Sequence, residues 1–181
     1  MNIKIDENTT LELIQEKHSD ELYALASESK VHLRLWLPWV DLMSSKEFID
    51  RFIEGCIMRN RNQNEFAFVI FHQLKMVGRV GVYKIDTYNK IGEIGYWLGE
   101  SFQGMGIATK VSAEMVRFAF EELELNRIEI KCGVENYKSK SIPKRLGFMH
   151  EATLREAELL HGKFIDLDLF SLLKRDWSGA N

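Results

Sequence analysis

Proline is nearly absent: the 181 residues contain two, Pro38 and Pro143. With no Ser/Gly-rich stretch, internal repeat or low-complexity segment, nothing marks a linker, and one domain is expected over residues 1–181. Cysteine is equally scarce. Cys56 and Cys132 each lie in an apolar stretch, which predicts two buried free thiols over a disulfide. The five histidines, His18, His32, His72, His150 and His161, show no H-x-x-H spacing, so no metal is expected. No apolar run approaches the roughly 20 residues that span a bilayer. The opening MNIKIDENTT lacks the apolar core of a secretory signal, so a cytoplasmic protein without membrane contact is expected. A dominant charge is missing too. Lys and Arg number 24 against 27 Asp and Glu, a net charge of −3, which gives no basic footprint for direct DNA binding.

What is present is a hydrophobic fraction of 45%, enough for a full-sized core, patterned with two periods. Thr10 to Gln15 alternates as a first strand, and Ser19-Asp20 offers helix N-caps ahead of Leu22, Leu25 and Ala26. The segment HLRLWLPWV, residues 32–40, cannot be one straight helix, because Pro38 cannot continue it. Ser44 and Glu47 have capping-box spacing ahead of Phe48, Ile49, Phe52, Ile53, Cys56 and Ile57, an amphipathic helix. From Glu65 the period becomes two. Strands at 66–70, 76–85 and 91–98, joined by short polar turns, predict an antiparallel meander. A glycine-punctuated loop, Gly99 to Gly106, leads into a helix from Ile107. A β-branched strand follows over 126–134, then a short helix over 139–146 ending at Gly147. Two last strands, 148–158 and 164–174, complete the order β-α-α-β-β-β-α-β-α-β-β. The fold class is α/β: a mixed, mostly antiparallel central sheet flanked by about four helices.

The run Gln103-Gly104-Met105-Gly106-Ile107-Ala108 stands between a strand and an amphipathic helix. A helix start leaves N–H groups without intrahelical partners and carries partial positive charge. Glycines there either turn the chain or let its backbone approach an anion. No G-K-[ST] follows, so this is no Walker loop, and a strand in an antiparallel meander does not fit a Rossmann fingerprint. Gln103, Gly106 and Ala108 resemble the Q/R-x-x-G-x-G/A motif of the GNAT acetyltransferase superfamily. Glu93-Ile94-Gly95-Tyr96-Trp97-Leu98 resembles that family's preceding strand. Asn136 and Ser139, with Ile142, Leu146, Gly147 and Phe148, resemble its N-x-x-S-x-x-V-x-x-x-L-G-F segment, with Pro143 near the first turn of the helix. The segments Leu35 to Trp39 and Gly162 to Trp177 are similar to the RimJ/RimL-like branch, which acetylates ribosomal-protein N-termini. The resemblance covers roughly residues 9–177.

The resemblance implies a GNAT-type sheet whose strand before the loop splays from its neighbour, with acetyl-CoA as co-substrate in the gap. Tyr96, Trp97, Leu98, Gln103, Gly104, Met105, Gly106, Ile107, Ala108, Asn136 and Ser139 are then the expected donor-binding residues. Lys110, Lys138, Lys140, Lys144 and Arg145 are further cations open to its phosphates. It assigns Glu158 as general base and Ser139 as the group meeting the departing sulfur. A backbone N–H at Leu98 or a neighbour would polarise the thioester carbonyl. Strand alternation puts Glu156 on the same face as Glu158, and both are open to reading as solvated edge carboxylates. Ser139 also reads as a helix N-cap, Asn136 as a turn residue, and Trp36 and Trp39 as core; with Tyr96, those tryptophans are the expected acceptor walls. An α-amine of pKa near 8 is roughly a tenth neutral at pH 7, a lysine less than about a thousandth. The expected acceptor is therefore a protein N-terminus, possibly ribosomal. A small amine (polyamine or aminoglycoside) is the alternative, and a non-catalytic acetyl-CoA-binding module the alternative from another class. A homodimer is compatible with the resemblance.

Overall fold

In the computed structural model, which describes residues 1–179, the alternating segments form one eight-stranded sheet. Its strands are β1 (Asn2–Lys4), β2 (Thr9–Leu13), β3 (Phe66–His72), β4 (Lys75–Asp86), β5 (Ile91–Leu98), β6 (Arg127–Gly133), β7 (Met149–Leu160) and β8 (Lys163–Leu173). They lie in the order β1-β2-β3-β4-β5-β6-β8-β7, and each neighbouring pair is antiparallel except β5 and β6. The described residues form five helices, one more than the pattern suggested. They are α1 (Ser19–Glu28), α2 (Lys30–Arg34), α3 (Lys46–Arg61), α4 (Ile107–Glu121) and α5 (Tyr137–Arg145). The added elements are short: β1 has three residues and α2 five, too few to show a period. No helix among the described residues is long and apolar enough to cross a membrane.

Period two gives the sheet two apolar faces. From β3, Phe68 and Ile70 join Ile107, Val111, Met115 and Phe118 of α4 in one core. The intervening Ala67 and Val69 join Leu22 and Leu25 of α1 and Ile49 and Ile53 of α3 in the other. Glu65, just before β3, sits beneath α3 between Arg59 and Arg79, the latter at 3.1 Å. Both guanidinium groups also reach the Cys56 sulfur, at 3.5 and 3.6 Å.

Two helix starts differ from the expected caps. Ser19 lies inside α1, and its hydroxyl donates to Asp50 of α3. The extended residue before α3 is Ser45, not Ser44, and it makes no side-chain cap. The capping box is therefore one residue out of register and does not form. Pro38 opens a single 3-10 turn, Pro38–Asp41, where its missing N–H costs nothing.

Two irregularities shape the site. The parallel pairing of β5 with β6 runs only from Ile91–Glu93 to Arg127–Glu129. Beyond it β5 stays with β4 as far as Leu98 and β6 stays with β8 as far as Gly133, so the strands part. The second is a bulge in β7: Leu154 faces Leu167, but Glu158 faces Ile165. Two extra residues on β7 break the alternation. Glu156, at φ 50°, is exposed, and its N–H bonds Asp166 at 2.8 Å. Glu156 and Glu158 therefore do not share a face, contrary to the simple strand reading.

Candidate active site

The gap between β5 and β6 opens into a cleft of about 1120 Å³. One end is the start of α4. Gly106 is the residue before the helix, at φ 75°, with Gly104 at φ 74°. A Cβ at either would meet no atom within 4 Å, so the loop is open on that side. No side chain caps the helix, which leaves its first N–H groups and partial positive charge facing the cleft. Gln103, Gly104, Gly106, Ile107, Ala108 and Thr109 line it, and Met105 does not: its side chain points outward, 53% exposed. Lys110 is also turned away, paired with Asp6 at 2.6 Å. Gln103 is held by Lys138 at 3.2 Å and by His32 at 2.6 Å. Burial lowers the pKa of His32, leaving a neutral ring nitrogen to accept from the amide. Lys138 and Arg145 line this end. Lys140 instead pairs with Asp168 of β8, and Lys144 is absent from the lining.

Along the cleft wall, the ladder fixes which β5 groups are free. Gly99 N–H donates to Val77 at 2.9 Å, so Leu98 and Tyr96, opposite Gly78 and Val80, turn their N–H and C=O groups toward β6. No β6 partner is paired with them there. This edge suits a ligand with amides of its own.

Across the gap, α5 begins with Asn136 as its N-cap, accepting from Ser139 N–H at 3.1 Å. Asn136, not Ser139, is thus the capping residue. Pro143 is the seventh residue of α5 rather than a first-turn residue. It offers no N–H to the Ser139 carbonyl four residues back. The Tyr96 hydroxyl supplies that donor at 3.1 Å. The Ser139 hydroxyl lies 3.2 Å from both the Tyr96 oxygen and the Cys132 sulfur. Burial pushes the Tyr96 phenol far up, so it remains a neutral donor.

The far end holds Trp36, Trp39, Tyr83, Glu93, Trp97 and Glu158. Trp36 and Trp39 are half-buried and line the cleft; Trp39 also packs on Trp97, with ring centroids 6.0 Å apart. Trp39 is thus both wall and core, while Trp36 is wall alone. Glu93 is paired with Lys84 at 3.1 Å and Lys131 at 2.9 Å. Glu158 has no such pair among the described residues. Burial raises its pKa, the negative charge of Glu93 adds to that, and Lys84 opposes.

Residues 8–149 match the Acetyltransferase (GNAT) domain family. The chain belongs to the GNAT family. This GNAT enzyme is 34% identical to YdaF of Bacillus subtilis (strain 168) over 180 residues, 97% of each chain. It is 32% identical to the ribosomal-protein-serine acetyltransferase of Escherichia coli (strain K12), over 93% of this chain and 94% of that one. Among solved structures, the ribosomal L7/L12 alpha-N-protein acetyltransferase RimL, bound to coenzyme A through a cysteine disulfide, superposes with a TM-score of 0.92. That match covers 96% and 98% of the two chains at 28% identity. The protein is an acetyl-CoA-dependent N-acetyltransferase with the expected mixed, mostly antiparallel fold.

The sequence reading did not place His32, Arg79, Tyr83, Glu93, Lys131 or Cys132 on the cleft. Lys131 and Cys132 line it just beyond Glu93, the last β5 residue paired with β6, and three-residue parallel pairing leaves no mark in a period-two pattern.

Proposed function

We propose that this one domain works in the cytoplasm, transferring acetyl to the N-terminal α-amine of a protein, with a ribosomal protein as the acceptor class. The observation that carries the reading is Glu158: a half-buried carboxyl without a cationic pair, at the opposite end of the cleft from the anion cradle of α4. A carboxylate of raised pKa can take a proton from an α-amine near neutral pH. The E. coli relative, a ribosomal-protein-serine acetyltransferase, and RimL, named for the α-amine of L7/L12, support the acceptor class.

Gln103 to Ala108, except the outward Met105 side chain, hold the pyrophosphate of acetyl-CoA, with Lys138 and Arg145 beside them. The Tyr96 and Leu98 backbones and Asn136 face the pantetheine amides, and the thiol then lies beside Ser139 and its neighbour Cys132. Acetyl-CoA supplies an activated acetyl thioester. Glu158 removes the amine proton, the Leu98 N–H faces the carbonyl oxygen, and the Ser139 hydroxyl donates to the leaving sulfur. Trp36, Trp39, Tyr96 and Trp97 wall the approach. A thiolate of pKa about 8.5 leaves without much help, so Ser139→Ala is expected to lose less kcat than Glu158→Gln. Equal or reversed losses in parallel steady-state assays refute that order.

Gly106→Val tests the cradle. Its left-handed φ costs about 1–2 kcal/mol for a side chain, and the added atoms stand where the loop is open. The KM for acetyl-CoA should rise by about tenfold for each 1.4 kcal/mol of lost phosphate contact, with kcat at saturation little changed. An unchanged KM removes the loop from donor binding.

The acceptor is tested by following free thiol release from acetyl-CoA. The panel holds peptides with free Ser, Ala or Met N-termini, N-blocked peptides containing lysine, and polyamines. Release only with free N-termini supports the proposal. Release with polyamines replaces the acceptor with a small amine. No release with any acceptor, despite coenzyme A binding, replaces it with a non-catalytic binding module.

A further inference from the structure

The two cysteines occupy different places. Cys56 lies under α3 within the Arg59–Glu65–Arg79 cluster, behind the cleft-lining Arg79 and not itself on the lining, and burial pushes its thiol up to about 11. Cys132 is on β6, beyond the last residue that pairs with β5, and it lines the cleft. Its sulfur is 3.2 Å from the Ser139 hydroxyl, the group assigned above to the coenzyme A sulfur. Two sulfurs then meet at one serine. RimL, a fold-wide neighbour, holds coenzyme A in disulfide linkage with a cysteine of its own. In this chain Cys132 is the cysteine on the cleft.

We propose that Cys132 is a modification site for coenzyme A, forming a mixed disulfide that shuts the donor cleft. The co-reactant is the disulfide of coenzyme A. The Cys132 thiolate attacks one of its sulfurs; the old S–S bond breaks, the Cys132–coenzyme A bond forms, and one coenzyme A leaves as thiolate. That thiolate takes up the proton Cys132 gave to solvent, so no outside oxidant is consumed. The inference rests on the donor-site reading above and adds to it a covalent off-state, reversed by thiol reductants.

The surroundings make this site selective. Cys132 is 4% exposed, so disulfides from bulk reach it poorly. A disulfide carried in by its own adenosine and pyrophosphate groups arrives at high local concentration. Burial also raises the Cys132 pKa, so the exchange should quicken as pH rises.

The full chain, reduced and desalted, is incubated with coenzyme A disulfide and followed by intact mass and peptide mapping. The expected result is one coenzyme A per chain on the peptide holding Cys132. The adduct should persist in Cys56→Ser, be lost in Cys132→Ser and be blocked by desulfo-coenzyme A. It should form at least about tenfold faster than the adduct with glutathione disulfide. Dithiothreitol should remove it and restore acetyl-CoA binding by calorimetry. Labelling of Cys56, equal rates with glutathione disulfide, or no adduct in a chain that binds acetyl-CoA overturns the proposal. An adduct in a chain that transfers no acetyl would sustain it while removing the transferase mechanism, so the two failures are distinguishable.

Discussion

Glu158→Gln is expected to lower kcat for a peptide with a free N-terminus by about 10²–10³-fold, within the span of general-base catalysis. The change keeps size and hydrogen-bonding capacity and removes only the proton acceptor, so the KM for acetyl-CoA should stay the same. The pH profile makes the assignment specific. A base works ionised, and burial with the charge of Glu93 raises the pKa of Glu158. The acidic limb of kcat should therefore lie above the ordinary glutamate range, with activity rising as pH climbs through it. In Glu158→Gln that limb should vanish, leaving only the titration of the acceptor amine. A variant that keeps more than about a tenth of the wild-type rate, or keeps the limb, sinks the assignment. Glu156→Gln is the control and should leave both intact, since the β7 bulge puts Glu156 in solvent.

The largest stability loss is expected at Glu65, which is off the cleft itself but holds the cleft-lining Arg79. Its side chain is 6% exposed and that of Arg79 is 12% exposed. Deleting the carboxylate strands the Arg79 charge over the Phe52 and Tyr83 rings, which lie 4.3 and 5.1 Å away. Breaking one partner from a buried pair costs about 3–5 kcal/mol. Arg59 is 46% exposed and is rehydrated, which favours the lower figure. For a domain of this size, about 3 kcal/mol lowers Tm by roughly 6–12 °C. Glu65→Ala should show that drop in a thermal melt, and Glu65→Gln a smaller one because an acceptor oxygen remains. A shift below about 2 °C would mean that water replaces the carboxylate without penalty.

Much of this architecture was legible because period and punctuation report local physics. The β3–β5 meander, α4 with its apolar stripe, and the glycine loop ahead of it lie where the alternation and the helical spacing put them. Glu158, Ser139 and the loop were nameable through their motifs, and all three lie on one cleft. What failed was whatever two strands decide jointly. Glu156 was paired with Glu158 because alternation assumes a regular strand, and the register against β8 is not regular. Ser44 and Ser19 have the right chemistry for caps, but backbone angles and the reach of Asp50 decided otherwise. Lys110 stands in the first turn of α4 as expected, yet Asp6, 104 residues away in sequence, takes its charge.

The proline in α5 has a consequence of another kind. The carbonyl it leaves without a helical donor is the one the Tyr96 hydroxyl occupies, so a defect in one element is repaired by a residue of another. The two positions are thereby coupled physically. Restoring a peptide N–H at 143 creates a rival for Tyr96, and losing the hydroxyl at 96 leaves the proline uncompensated. A substitution at either site is therefore felt at the other, across a gap that the sheet's own hydrogen bonds do not bridge.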